Sequence, residues 1–149
     1  MDRVTNLAEM KLLHTSLSHL YQKKNTQIVI VEKDRLTLKI VENAFNHGGY
    51  KNIQCFNDGK EAFSFICKSK KLVIGVYNFH ADALNALQFL TITGKIKDKI
   101  RLKVVVVCDS VSPDLIVSLK KFEVMDIWLK PLNQEKLLKT IESIQNPDI

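Results

Sequence analysis

Short apolar runs alternate with stretches of helical periodicity along most of this sequence. Five runs rich in β-branched residues predict strands, at 27–31, 53–56, 72–76, 104–107 and 127–129. Between these runs, apolar residues recur every three or four positions, as they do on the buried face of a helix. The runs at 27–31, 72–76 and 104–107 are almost continuously apolar, which is typical of parallel strands covered on both faces.

Capping and turn residues indicate where the predicted helices begin and end. Helix starts are indicated by Asp34, by Ser112 followed by Pro113, and by Asn133. Helix ends are indicated by Gly48-Gly49 and by Gly94, which closes a helix expected over 83–93. Asn57-Asp58-Gly59 predicts a turn before another helix. Five successive strand–helix units predict an α/β fold, with a doubly wound five-stranded parallel sheet in the order 2-1-3-4-5.

Residues 1–24 precede this pattern and form a predicted N-terminal helical extension to a domain spanning 25–146. One helical stripe is apolar, formed by Met10, Leu13, Leu17, Leu20 and Tyr21. The stripe is compatible with an extra helix packed on the same domain, with a short helical dimer seam, or with a partly ordered lead-in.

Composition narrows the class of protein. The chain has 149 residues, a net charge of +6 and no apolar run of membrane-spanning length, and its start does not resemble an export signal. We therefore expect a cytoplasmic domain without membrane association. The lysines form only small clusters with no interleaved aromatic residues, so nucleic-acid binding is a weaker alternative. Cys55, Cys67 and Cys108 lie in apolar runs without metal-ligand spacing, which predicts reduced, buried thiols.

In such a sheet, ligands bind at the carboxyl ends of the strands. The residues expected there are Glu32, Lys33 and Asp34; Tyr77 and Asn78; Cys108, Asp109 and Ser110; and Lys130 with Pro131.

Four segments in these positions resemble a known family. QIVIVEKD, NDGKEAF, KLVIGV and MDIWLKP resemble, in order and spacing, the receiver domain of two-component response regulators, over residues 27–144. The resemblance implies a flavodoxin/CheY-like fold. It also implies a site in which two acids after strand 1 and an aspartate after strand 3 hold Mg²⁺, and that aspartate accepts phosphate. A serine or threonine after strand 4 and a lysine after strand 5 would bind the phosphoryl oxygens.

This sequence departs from that pattern at most of the site. Glu32 keeps the first acidic position, but Lys33 replaces the second. The acceptor position falls on Val76, or on Tyr77 or Asn78 if the gap is placed differently, and none of these is a carboxylate. Cys108 replaces the hydroxyl, and Ile127 replaces the aromatic switch residue. Lys130 and Pro131 remain, with a cis bond expected between them, and Lys33 or Lys130 is expected to form an ion pair with Glu32.

The resemblance with these departures predicts a degenerate pseudo-receiver: a phosphorylation-independent protein-interaction module, not an enzyme, with no cofactor. The alternative is a rearranged, still active phosphoacceptor site built on Glu32, Asp82 and Lys130; otherwise Asp82 would cap the third helix or lie in a solvated loop.

The expected partners are proteins: a histidine kinase, a histidine phosphotransfer protein, another receiver, or a second copy of the chain. The candidate partner surface comprises Lys120, Lys121, Ile127 and Trp128. Strand alternation also allows Trp128 to be a core residue.

Overall fold

Five parallel strands form one sheet in the computed structural model, which describes residues 3–145. The strands are β1 (Thr26–Val31), β2 (Ile53–Phe56), β3 (Leu72–Asn78), β4 (Leu102–Cys108) and β5 (Asp126–Leu129). Their spatial order is β2-β1-β3-β4-β5, which confirms the predicted topology.

Six helices accompany the sheet within the described residues. They are α1 (Arg3–Lys24), α2 (Arg35–His47), α3 (Gly59–Lys68), α4 (Ala86–Lys95), α5 (Pro113–Lys120) and α6 (Gln134–Gln145). The predicted caps at Asp34 and Ser112 are confirmed, since their side chains accept hydrogen bonds from the backbone amides of Thr37 and Leu115.

The sheet separates two apolar cores because alternate residues of each strand face opposite sides. On one side, α2 and α6 pack through residues such as Phe45 and Ile141, and Trp128 belongs to this core. On the other side, α3, α4 and α5 contribute Ala62, Phe89 and Leu119. Both faces of the sheet are covered, as the continuous apolar runs predicted.

The region after β3 differs from the sequence prediction. Strand β3 continues two residues past Val76, to Asn78, and α4 begins at Ala86 instead of near 83. Asn85 caps α4 by exchanging hydrogen bonds with Gln88, so Asp82 does not cap this helix and is instead an exposed loop residue, the other alternative given for it. Gly94 lies inside α4 and does not end it.

The apolar stripe of α1 is not covered by the domain. Met10, Leu13, Leu17 and Leu20 are each 55–66% exposed. Residue 21, also predicted to lie on this stripe, has a side chain outside the described set.

Two expectations about burial need correction. Cys67 is exposed and Cys55 only half-buried, whereas Cys108 is buried as expected; all three are free thiols. Cys67 lies in the last turn of α3, beyond the face that Ala62 and Ile66 bury.

Candidate functional site

The carboxyl ends of β1 and β3 bring Glu32 and Asn78 together. Val31 pairs with Tyr77 in the parallel register, so the next residues, Glu32 and Asn78, emerge side by side. Asn78 Nδ2 donates a hydrogen bond of 2.6 Å to Glu32 Oε2. Of the three candidates for the acceptor position, Asn78 is therefore the one whose side chain contacts the Glu32 carboxylate.

Val76 and Tyr77 have their side chains in the cores. Val76 belongs to the core beneath α2 and α6, and Tyr77 to the opposite core. The Tyr77 ring stacks on Phe89 with centroids 4.3 Å apart, and its hydroxyl donates to the Leu84 carbonyl. Burial, with a smaller contribution from the Asp58 charge, raises the pKa of the Tyr77 phenol.

The Glu32 carboxylate is a buried charge, 5% exposed, with a partner on each oxygen. Oε1 lies 2.9 Å from the Lys130 ammonium, which among the described residues is its one partner. Oε2 accepts the Asn78 amide and, at 3.0 Å, the backbone amide of Lys33. A buried carboxylate needs such compensation because its desolvation is costly.

The Asn78 side chain suits this position because its amide group has both a hydrogen-bond donor and a hydrogen-bond acceptor. Its Oδ1 accepts a hydrogen bond of 2.9 Å from the backbone amide of His80, while its Nδ2 donates to Glu32. An ionised aspartate would keep the first bond but would place a second negative charge against Glu32. Without a cation to neutralise both, that pair would be strongly unfavourable.

The Lys33 side chain points to the mouth of the site, where it forms an ion pair with Asp82. Both side chains are more than half exposed. Asp82 is held against the loop before α3, since its carbonyl accepts the backbone amide of Gly59 at 3.0 Å. The sequence suggested Asp82 as a displaced acceptor but did not indicate this pairing with Lys33.

Cys108 ends β4, and Lys130 and Pro131 directly follow β5 at the same edge of the sheet. Burial, followed by the Asp109 charge, raises the pKa of the Cys108 thiol. The backbone amide of Lys130 donates to the Cys108 carbonyl at 2.9 Å, which sets the lysine beside β4. Asp109 is 3.9 Å from the Lys130 ammonium, farther than Glu32, and Ser110 is exposed. The peptide bond between Lys130 and Pro131 is cis, as predicted.

The space between these side chains is small. A cavity of about 40 Å³ is lined by Val31, Glu32, Lys33, Asn57, Asn78, His80, Ala81 and Asp82. It has room for about one water molecule.

The donor set does not fit Mg²⁺, the ion that the resemblance implies. Mg²⁺ requires oxygen ligands in near-octahedral geometry. Here one buried carboxylate already binds an ammonium, and the neighbouring amide presents its nitrogen to that carboxylate. No group of three His, Cys, Asp or Glu side chains placed to hold a metal occurs among the described residues, and no helix there is long and apolar enough to cross a membrane.

The candidate partner surface is only partly as predicted. Lys120 and Lys121 are exposed and Ile127 is half-buried, but Trp128 is buried, so its assignment to the surface is wrong. The Trp128 indole donates to Asp126 Oδ2 at 3.0 Å and to Thr140 Oγ1 at 3.3 Å, which fixes it within the core.

Exposed apolar residues adjoin the lysines of this surface. Val117 on α5 is 56% exposed, and Leu129 at the end of β5 is 46% exposed. We call Val117, Lys120, Lys121, Ile127 and Leu129 the α5–β5 face. The sequence pattern did not indicate Val117 or Leu129 as surface residues, and Leu129 belongs to the apolar run predicted as the fifth strand.

Comparison with known proteins gives structural matches alone. No family model and no curated protein matches the sequence. A response regulator from Thermotoga maritima is 26% identical, with a TM-score of 0.67, over 83% of this chain and 98% of that one. A DNA-binding response regulator of the LuxR family from Staphylococcus aureus is 20% identical, with a TM-score of 0.69, over 82% and 99%. The chemotaxis response regulator CheY4 of Vibrio cholerae is 18% identical, with a TM-score of 0.64, over 81% and 98%.

These matches span nearly the whole length of each relative and cover most of this chain. The matches of 20% and 18% identity show the fold, and all three matched proteins are response regulators. The chain therefore has the fold of a response-regulator receiver domain, which supports a role in two-component signalling.

Proposed function

We propose that this chain is a pseudo-receiver, a protein-interaction module of two-component-type signalling that works without being phosphorylated. The observation that carries the proposal is the hydrogen bond from the Asn78 amide to Glu32 at the end of β3. An amide nitrogen cannot attack a phosphoryl group as a carboxylate does, so the side chain at this position lacks the nucleophile.

Charge at the site supports the same conclusion. A lysine occupies the second acidic position, and its ammonium is paired with Asp82. A divalent cation about 4 Å from an ammonium would be repelled by about 4 kcal/mol per pair of unit charges at an effective dielectric constant near 20. Lys130 is engaged with Glu32, so the two positive side chains are neutralised within the protein and not by a phosphoryl group.

The direct test is chemical phosphorylation. The full-length chain, incubated with acetyl phosphate and Mg²⁺, should show no added phosphoryl group by intact-mass spectrometry. Beryllofluoride, which mimics an acyl phosphate, should leave its amide NMR spectrum unchanged. A phosphoryl adduct on the wild-type chain would overturn the proposal.

Interaction through the α5–β5 face is the second part of the proposal. This face combines exposed apolar side chains with the Lys120 and Lys121 ammonium groups, a composition suited to an acidic protein partner. Histidine kinase and histidine phosphotransfer domains from the source organism are the probes. Binding should be equal with and without acetyl phosphate. Val117→Glu should weaken it, whereas Leu36→Glu, at an exposed leucine on α2, should not.

A rearranged acceptor is the second candidate, favoured by one observation: Asp82 lies at the mouth of the same cavity as Glu32. Its carboxylate is exposed and is paired with Lys33. If this residue accepted phosphate, the adduct in the mass experiment would disappear in Asp82→Asn and persist in Asp109→Asn, an exposed acid on the neighbouring loop.

A further inference from the structure

Helix α1 presents an apolar seam that the domain does not cover. Met10, Leu13, Leu17 and Leu20 follow one another at spacings of three, four and three residues. This is the spacing of the a and d positions of a coiled coil, with Met10 and Leu17 at a and Leu13 and Leu20 at d. All four side chains are 55–66% exposed.

The seam is narrow, which distinguishes it from a membrane-binding face. An interfacial helix presents a broad apolar face opposite a polar face rich in lysine and arginine. Here the lysines of α1 lie mostly at its end, at Lys23 and Lys24, while Leu12 is 70% exposed on the side away from the seam. The four-residue stripe matches the partner surface of a second helix instead.

The polar side chains that flank the seam favour a second copy of the same helix. Glu9 occupies a g position and His14 the e position five residues later, and both are exposed. In a parallel two-stranded coiled coil, a g side chain meets the e side chain five residues later on the partner helix. Glu9 of one chain would then lie beside His14 of the other, twice by symmetry.

We propose that the chain forms a homodimer through a parallel coiled coil of α1, with Met10, Leu13, Leu17 and Leu20 in the seam and Glu9 opposite His14 of the second copy. The seam ends about one helical turn before the end of α1, and β1 follows directly, so the two domains lie at the same end of the coiled coil. The pairing spans about two heptads, short enough for the dimer to be reversible and concentration-dependent.

The experiment is sedimentation equilibrium of the full-length chain over a range of concentrations. We expect a monomer–dimer equilibrium for the wild type. Leu13→Asp with Leu17→Asp should weaken dimerisation at least 100-fold, on the order expected for burying two charges in a coiled-coil seam. Leu12→Asp is the control, since it makes one such substitution at an exposed leucine of the same helix outside the seam, and it should leave the dimer intact.

Orientation is tested by charge reversal. Glu9→Lys and His14→Glu should each weaken the dimer, because each loses the Glu9–His14 contact or replaces it with repulsion, and the double variant should recover it. A chain that stays monomeric at all concentrations overturns the proposal. A dimer that is unaffected by the two seam substitutions also overturns it. So does a monomeric wild type that floats with anionic vesicles, if the seam substitutions abolish this flotation. Circular dichroism of each variant confirms that the domain is folded.

Discussion

Glu32 stands out at the scale of single residues because it is a charge buried at the centre of the site. Its carboxylate is satisfied by one ammonium, one side-chain amide and two backbone amides, those of Lys33 and, at 3.4 Å, Asp34. Removing one partner of a buried pair leaves an uncompensated charge and costs more than the pair itself contributes. Lys33 and Asp82, in contrast, form an ion pair that is exposed to solvent. The two lysines of the site can therefore be compared, Lys130 in a buried pair and Lys33 in an exposed one.

The same substitution at the two lysines should therefore have different effects. We expect Lys130→Met to lower the free energy of unfolding by about 3 kcal/mol, because Glu32 loses its counter-charge. Lys33→Met should cost less than about 1 kcal/mol, as is usual for an exposed pair. Urea unfolding followed by Trp128 fluorescence measures both. In Glu32→Gln/Lys130→Met the loss should be smaller than the sum of the single losses, and simple additivity would contradict the pairing.

Tyr77 gives a pH dependence whose sign follows from burial. The raised pKa of its phenol means that the folded protein keeps the proton after the unfolded chain begins to lose it, near pH 10. The contribution of Tyr77 is therefore complete below about pH 10 and is lost as the pH rises beyond it. Tyr77→Phe should unfold with a shallower alkaline loss of stability than the wild type. Parallel curves above pH 10 would refute this assignment.

At the scale of elements, the sequence predicted the strands and their order because each strand centres on a short, mostly apolar run that alternates with a stretch of helical periodicity. The ends of elements were less predictable. Strand β3 extends to Asn78 because its last two residues pair with Val106 and Val107 of β4, a tertiary effect that no local pattern encodes. The start of α4 depends on the Asn85–Gln88 capping box, which lies after Ala83 in a left-handed conformation (φ 68°).

Two glycines allow a matched test of helix packing. A Cβ at Gly59, the first residue of α3, would lie 2.6 Å from the Leu84 carbonyl oxygen and would also meet the Tyr77 hydroxyl. Gly94 lies within α4, with no atom within 4 Å of such a Cβ. Thermal unfolding should show Gly59→Ala destabilised by about 2 kcal/mol. It should show Gly94→Ala stabilised by up to about 1 kcal/mol. A neutral Gly59→Ala would mean that the loop before α4 moves freely.

At the scale of the whole molecule, the carboxyl ends of the strands bring the residues of the site together. The sequence predicted some of the side chains in this site but not all of them. The sequence identified Glu32, Lys33 and Lys130 as an altered charge pattern. It could not choose between Val76, Tyr77 and Asn78, because that choice depends on the pairing of Val31 with Tyr77. It also could not place Trp128 inside or outside, since a strand residue's face is decided by the helices that cover it.

The three cysteine thiols differ in how deeply they are buried. Cys67 is exposed, whereas burial and a hydrogen bond to Glu42 raise the pKa of Cys55 to about 12. Alkylation at neutral pH should modify Cys67 first and Cys55 more slowly, with Cys108 reacting only on unfolding. Glu42→Gln should speed the reaction of Cys55 while leaving that of Cys67 unchanged. Early modification of Cys108, followed by peptide mass spectrometry, would contradict the buried end of β4.

We infer that Asn78 and Lys33 deprive a receiver fold of its divalent-cation site. Calorimetric titration with Mg²⁺, supported by amide chemical shifts, compares the wild type with Lys33→Asp/Asn78→Asp, which restores two carboxylates beside Glu32. The wild type should show no saturable binding. The double variant should bind one ion, with shifts at Glu32, at Lys130 and at the two substituted positions. Saturable Mg²⁺ binding by the wild type, with shifts centred on Glu32, would contradict the account.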